Sequence, residues 1–472
     1  MTELTPYRPA PRFFQLGGEY ADQVEPARFG NLVLRHRHDR AATEIGLEHL
    51  SDEAFVRHFG RFEPLEGQPA PVAMRYHGHQ FRHYNPDLGD GRGFLLAQML
   101  DGRGRLMDLG TKGSGTTPWS RSGDGRLTLK GGVREVLAAA MLETLGVKTS
   151  RALSLIETDE ELERHDEPSP TRAAVLVRLS HSHIRFGTFQ RAAYFRRTDQ
   201  IEALTAHVVR HYHPHLAEDD PVGLLGAVVE ASARLSAQWV AAGFVHGVLN
   251  TDNLNVTGES FDYGPWRFLP HYEPGFTAAY FDQTGLYAFA RQPEAVFWAL
   301  TQLGGALRLV ADAEPLTEAL NRFGGLYIEA LRVAIARRFG VRASGGPQDQ
   351  ALVDSALRLL REGGPALRFE PLFFDWFAGV SSTRRALSSP RAPLYAGEAF
   401  EALRTALFAL EPERPERLEH AVFNRPEPEE MLIDEVEALW DAIAARDDWS
   451  AFHAKLAALE DARKAYGFAV PD

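Results

Sequence analysis

The sequence predicts an α+β chain in two unequal parts, strands first and helices after. Three observations lead there. In the first part, short apolar runs sit between turn residues: Gly93–Leu100 and Arg105–Lys112 flank Asp101-Gly102-Arg103-Gly104, the pattern of a hairpin. Beyond about residue 185, apolar residues recur at helical spacing over long stretches, Pro221–Gly243 foremost. The chain is 472 residues long and 44% hydrophobic, enough for two or three domain-sized units, each with a buried core.

Taken in order, the first zone covers residues 1–185. After the hairpin, Gly131–Gly146 is rich in Ala and Leu and closes on a glycine, which predicts a helix. Ala152–Thr158 and Arg172–Ser180 read as two further strands, joined by the acidic surface loop Glu163–Arg172. The second zone, 186–310, is helical, with the long helix Pro221–Gly243 and another over Gln292–Val310. The third, 311–472, is a helical extension with short Pro and Gly breaks, among them the surface loop Ala343–Gln350. Its charged amphipathic stretch Glu429–Leu459 reads as packed helix rather than as a partner-binding arm.

Charge and composition narrow the function. A net charge of -13, from 64 acids against 51 bases, argues against a nucleic-acid partner but allows a local basic pocket for a small anion. Without cysteine there is no disulfide and no thiolate metal site. That composition fits a reducing cytosol, so a cytoplasmic protein is expected. Met1–Gln15 lacks the apolar core of a signal peptide. No apolar run approaches the roughly 18 residues of a membrane span, so no membrane partner is expected.

The chemistry lies in an order of residues. Gly89-Asp90-Gly91-Arg92-Gly93 is a glycine-rich turn before a strand, Lys112 follows one hairpin later, and Glu135 sits on the next helix. Far along the chain come Asn253 and then Asp262-Tyr263-Gly264. Glycine loop, Lys, helix Glu, Asn, Asp is the order of the protein kinases. It sharpens the fold class to a protein-kinase-like bilobal fold, with a strand-rich N-lobe, a helical C-lobe and extra C-terminal helices. Each part has a physical task. Glycines let backbone N–H groups approach phosphate. Lys112 meets a polyphosphate as a point charge, and Glu135 holds that lysine by an ion pair. Asn253 and Asp262 offer oxygen to a hard Mg²⁺ ion.

Two features depart from a kinase. His246 and Asn253 keep the kinase interval, but the position of the catalytic base is Val248, which cannot accept a proton. Asp252, beside Asn253, is the candidate replacement, its alternative being a cap on the following segment. Arg178 is in phase with Leu176 and Ala174 on an apolar strand face, and Arg185 follows seven residues on. Two guanidiniums where a kinase binds adenine suit a triphosphate better than a purine; the alternative is that each pairs with a carboxylate. A reversed nucleotide changes the reacting phosphorus from γ to α. The histidines of "YHGHQFRHY" (His77, His79, His83) lack a third-ligand pattern and read as structural.

The motifs "YHGHQF", "LGDGRG", "DLGTKGSGTTPWSRSGDGR", "SHIRFGTFQ", "HGVLNTDNLNVTGESFDYGPW" and "LYAFARQPEAVFWAL" together resemble the selenoprotein O family, strongly over residues 10–310 and weakly beyond. Its bacterial members have a kinase-like fold and were once taken for pseudokinases. The resemblance implies protein AMPylation: AMP passes from ATP, bound in a flipped orientation, to Ser, Thr or Tyr hydroxyls of proteins, with release of pyrophosphate. It implies that Gly89, Gly91, Arg92, Lys112, Asp124, Gly125, Arg178 and Arg185 contact the nucleotide, with Glu135 as partner of Lys112. Asp252 matches the proton acceptor, and Asn253 and Asp262 the ligands of Mg²⁺ or Mn²⁺, with Asp262 also close to the nucleotide. His77, Arg82 and "PDLGDGR" depart from the family pattern, as does the missing C-terminal cysteine or selenocysteine, which removes that route of redox control. Phosphate transfer to a small molecule or protein, and a non-catalytic nucleotide-binding scaffold, are the alternatives.

Overall fold

The computed structural model describes residues 5–165 and 167–468. Met1–Leu4 and Asp166, parts of the N-terminal segment and of the acidic loop read above, lie outside the described residues, as do 469–472. A curled antiparallel sheet forms the first part. Its strands are β1 (Ala21–Gln23), β2 (Leu32–Arg37), β3 (Val72–Met74), β6 (Leu95–Leu100), β7 (Leu106–Lys112), β8 (Leu127–Thr128), β9 (Arg151–Leu162) and β10 (Thr171–Ser180); β4 (Gly78–Gln80) and β5 (His83–Asn85) make a separate hairpin. The order across the sheet is β1-β3-β6-β7-β10-β9-β2, with β8 on β10. Leu96, Met107, Leu153, Val175 and Val177 pack under the short helices Asp39–Glu44 and Asp52–Phe59. Leu95, Leu106, Leu155, Ala174 and Leu176 face the helix Leu129–Thr144. The sheet is therefore covered on both faces, which is why β10 reads as a continuous apolar run.

The register places the charges. Leu176 of β10 lies opposite Lys112 of β7, and Arg178 opposite Gly110. Directly opposed residues share a face, and alternate residues of one strand share it too. Lys112 and Arg178 therefore project together toward the helix Leu129–Thr144. That helix starts where Thr128 accepts a hydrogen bond from Gly131 N (3.1 Å) and stops before Gly146 in the left-handed region (φ 74°).

The second part is helical. Pro221–Ala241 begins with Asp220 accepting from Gly223 N (2.7 Å) and a proline at its first position. It leads into the short strand Phe244–Val245, which pairs with Arg267–Phe268. The chain between those two strands is the loop read above as kinase-like.

One expectation for the C-terminal third needs correction. Ala343–Gln350 is loop only in its first half: Pro347 opens the helix Pro347–Gly363, and Asp349 accepts from the N–H groups of Ser344 (2.9 Å) and Gly345 (2.8 Å). Glu429–Leu459 is packed helix as expected, in two pieces, Ile433–Arg446 and Ser450–Tyr466, that meet at Asp447 in the left-handed conformation (φ 51°). The break is anchored from far away. Asp447 pairs with Arg35 of β2 (3.0 Å) and Arg172 of β10 (2.6 Å), so these helices return to the sheet. Phe452 and Leu459 join the core of the helix Leu129–Thr144. Among the described residues no helix is long and apolar enough to cross a membrane.

Candidate active site

A cleft of about 810 Å³ opens between the sheet and the loop that follows Val245. Gly89, Gly91, Arg92, Lys112, Asp124, Gly125, Arg178, Arg185, Asp252 and Asp262 all line it. Of the residues expected from sequence, Glu135 lies behind Lys112 and Asn253 is off the lining, one residue from Asp252.

At the inner end, Lys112 Nζ donates to Glu135 Oε1 and to Asp262 Oδ1, the latter at 2.6 Å. Arg178 Nη1 donates to Asp262 Oδ1 (3.3 Å) and lies 3.7 Å from Glu135 Oε2. Two cations and two carboxylates thus share one nearly buried site, where their attraction is weakly screened. Burial by itself raises the pKa of Asp262, but Lys112 and Arg178 outweigh it and hold the carboxyl well below its usual range. Arg185 Nη1 donates to Asp90 Oδ1 (3.1 Å), and its guanidinium lies 4.4 Å from the Tyr76 ring centre. Burial opposes its charge, yet Tyr76, Asp90, Asp262 and Asp252 together raise its pKa. Both arginines thus have carboxylate partners, and those partners sit in the cleft.

The loop holds its carboxylates differently. Asp262 is left-handed (φ 64°), a backbone that Asp tolerates better than most residues. Next to it, Tyr263 is buried and hydrogen-bonds to Thr149 Oγ1. His246, kept neutral by burial, donates from Nε2 to the Phe261 carbonyl (2.9 Å) and braces the same turn. Asp252 lies on the single turn Thr251–Asn253. Its Oδ1 is buried and has no hydrogen-bond partner. Burial is the largest influence on it and raises its pKa to about 6; Asp262 adds to this, while Arg185 and Arg121 oppose it. Asn253 Nδ2 donates to the Val248 carbonyl (3.0 Å), which turns the amide oxygen away from that contact.

The histidines read from sequence as structural sit on or beside a hairpin whose role beside the loop the sequence did not show. The hairpin β4–β5 braces the loop: His79 N donates to Thr251 Oγ1 (2.7 Å) and Phe81 N to Asn250 Oδ1 (3.0 Å). That is the work of "YHGHQF". His77 Nδ1 meets Tyr84 OH (2.7 Å) and His79 Nδ1 meets Gln190 Nε2 (2.8 Å). A Cβ on Gly78 would come within 2.9 Å of Asp252 Oδ1, so this glycine makes room for the carboxylate. Gly89 and Gly91 are small for packing reasons as well: a Cβ on the first would run into the Trp119 ring, and one on the second would lie 2.9 Å from the Trp119 carbonyl.

The chain matches a family model described as "Protein adenylyltransferase SelO" over residues 4–460, so the match runs through the C-terminal helices. It is 43% identical to the protein nucleotidyltransferase YdiU of Synechococcus elongatus over 96% of this chain and 94% of that one. It is 44% identical to that of Gloeobacter violaceus over 97% and 95%. With that of Trichormus variabilis it shares 49% identity over 75% and 73%.

Proposed function

Since this chain belongs to the SelO family of protein adenylyltransferases, we propose that it moves AMP from ATP to Ser, Thr or Tyr hydroxyls of proteins at the cleft described above, on a kinase-like scaffold. The observation that carries this reading is the buried, unpartnered Oδ1 of Asp252 in a cleft lined by Lys112, Arg178 and Arg185. Such a carboxylate, with a pKa of about 6, is poised to take a proton near neutral pH. Val248, at the position of a kinase base, has no group that can do so.

ATP lies with its triphosphate toward Lys112, Arg178 and Arg185, the reverse of the kinase orientation. A triphosphate brings further anionic oxygen to two buried guanidiniums, which a purine does not. The acceptor hydroxyl oxygen bonds to the α-phosphorus, and the bond from that phosphorus to the α–β bridging oxygen breaks. The hydroxyl proton passes to Asp252 Oδ1, and pyrophosphate leaves with the bonding electron pair. Lys112, fixed by Glu135, and the two arginines stabilise charge on the departing group; being already in place, they need little reorganisation. The backbone of Gly89–Gly93 approaches the nucleotide from the sheet side, with Arg92, Asp124 and Gly125 on the rim.

Asn253 and Asp262 fit a Mg²⁺ or Mn²⁺ ion, since both offer oxygen and Asp262 stays ionised. Such an ion, when bound, neutralises charge on the phosphates. Parallel assays with α-labelled and γ-labelled ATP test the reading. Label reaching protein from the α-position, and lost in Asp262→Ala, is expected; label from the γ-position alone would establish phosphate transfer instead.

A further inference from the structure

Two consecutive aromatics stand in solvent beside the catalytic loop. Tyr280 is 84% exposed and Phe281 48%. The segment that carries them is held firmly. Asp282 is buried and accepts from the N–H groups of Leu286 (2.9 Å) and Tyr287 (2.8 Å). Ala278 is buried against Gly247 of the catalytic loop, where a Cβ would lie 3.0 Å from Ala278 Cβ. A contiguous exposed apolar patch on a fixed backbone is a candidate contact surface.

The turn of the hairpin β4–β5 forms the other half of this surface. Phe81 and Arg82 are both left-handed, with φ of 49° and 65°. Two-residue turns of that backbone favour Asn-Gly, so a Phe-Arg pair is strained, and strain of this kind collects at functional sites. The surroundings hold the turn in place. Phe81 N donates to Asn250, two residues before Asp252, and its ring packs on Tyr287 (5.0 Å) and Phe281 (5.8 Å). The Arg82 guanidinium lies 5.4 Å from the Trp298 ring centre. Gln80, one residue before the turn, lines the cleft together with Asp252. An aromatic lip of Phe81, Phe281 and Tyr280 therefore leads from the catalytic carboxylate to the surface.

We propose that this lip seats the acceptor polypeptide and selects hydroxyls flanked by an apolar side chain. The proposal rests on the AMP-transfer reading above. A hydroxyl at Asp252 brings the residues on either side of it across the rim of the cleft. There the protein offers rigid rings, which bind apolar side chains at low cost in conformational entropy.

The test uses the full chain and two short dye-labelled peptides, each with one serine, flanked in one by Leu and Phe and in the other by Glu. Binding is read by fluorescence anisotropy for the wild type, for Tyr280→Ser with Phe281→Ser, and for Ile328→Ser as an exposed apolar control on the helix Phe323–Arg338. The apolar peptide should bind the wild type and the control about tenfold tighter than the acidic one, the loss typical of an aromatic anchor. The double variant should lose that preference, while its Kd for ATP, measured by calorimetry, stays within twofold. Equal binding of both peptides to the wild type overturns the proposal, as does a preference retained by the double variant. So does sedimentation showing a wild-type dimer that the double variant breaks while the preference remains, because the lip is then a contact between copies. Labelling from α-labelled ATP separates the two readings. A peptide preference without α-label refutes AMP transfer but keeps the lip; α-label without a preference does the reverse.

Discussion

Replacing Asp252 by Asn should abolish transfer and yet stabilise the protein. Burial raises the carboxyl pKa from 3.8 to about 6, and one pKa unit corresponds to about 1.4 kcal/mol, so the ionised side chain weakens the folded state by roughly 3 kcal/mol. The sign follows from proton uptake. Between pH 4 and 6 the folded protein holds a proton there that the unfolded chain has lost, so wild-type stability falls as pH rises through that window. The amide of the variant carries no charge and escapes the penalty. Its advantage should be full above pH 6 and disappear near pH 4. For 472 residues unfolding as a unit the entropy is on the order of 1 kcal/mol/K, so the gain is about 3 °C in Tm. Transfer from α-labelled ATP should drop by roughly 10²–10⁴-fold, the usual contribution of a positioned base. Differential scanning calorimetry at pH 4 and pH 7.5, beside the labelling assay, reads both quantities. A variant that labels at near wild-type rate refutes the assignment of the base. One that is destabilised equally at both pH values refutes the buried-charge reasoning.

Three further outcomes follow from the same geometry. The pH profile of kcat/KM should fall on its acid side around pH 6, as Asp252 takes up its proton; an acid limb near pH 4 would assign the base elsewhere. Lys112→Met should remove labelling and lower stability by about 1.5–3 kcal/mol, because Glu135 and Asp262 lose their charged hydrogen bonds to Lys112 and keep only Arg178 between them; denaturant unfolding checks it, and unchanged stability contradicts it. Gly78→Ala presses a methyl group within 2.9 Å of Asp252 Oδ1 and should cut kcat about tenfold or more while the Kd for ATP holds; an unchanged kcat would mean that Asp252 has room to move.

What the sequence made legible is local or ordered along the chain. The hairpin Leu95–Lys112, the helix Leu129–Thr144 and the strand carrying Arg178 follow from periodicity and turn residues. The candidate site follows from its order, Gly89 to Lys112 to Glu135 to Asn253 to Asp262. What stayed hidden depends on contacts between distant segments. The hydrogen bond from Phe81 N to Asn250 spans 169 residues, and the one from His79 N to Thr251 spans 172. The exact place of the break at Asp447 depends on Arg35 and Arg172, far away in the chain, which pair with it. Asp90, the partner of Arg185, reads in sequence as one more turn residue. Local pattern carries no record of such pairings.

The orientation of ATP is the central point, and a crystal structure with a non-hydrolysable ATP analogue and Mg²⁺ addresses it directly. The α-phosphorus should lie nearest Asp252, with the β- and γ-phosphates toward Lys112, Arg178 and Arg185. A γ-phosphate nearest Asp252, with adenine away from the arginines, would contradict it.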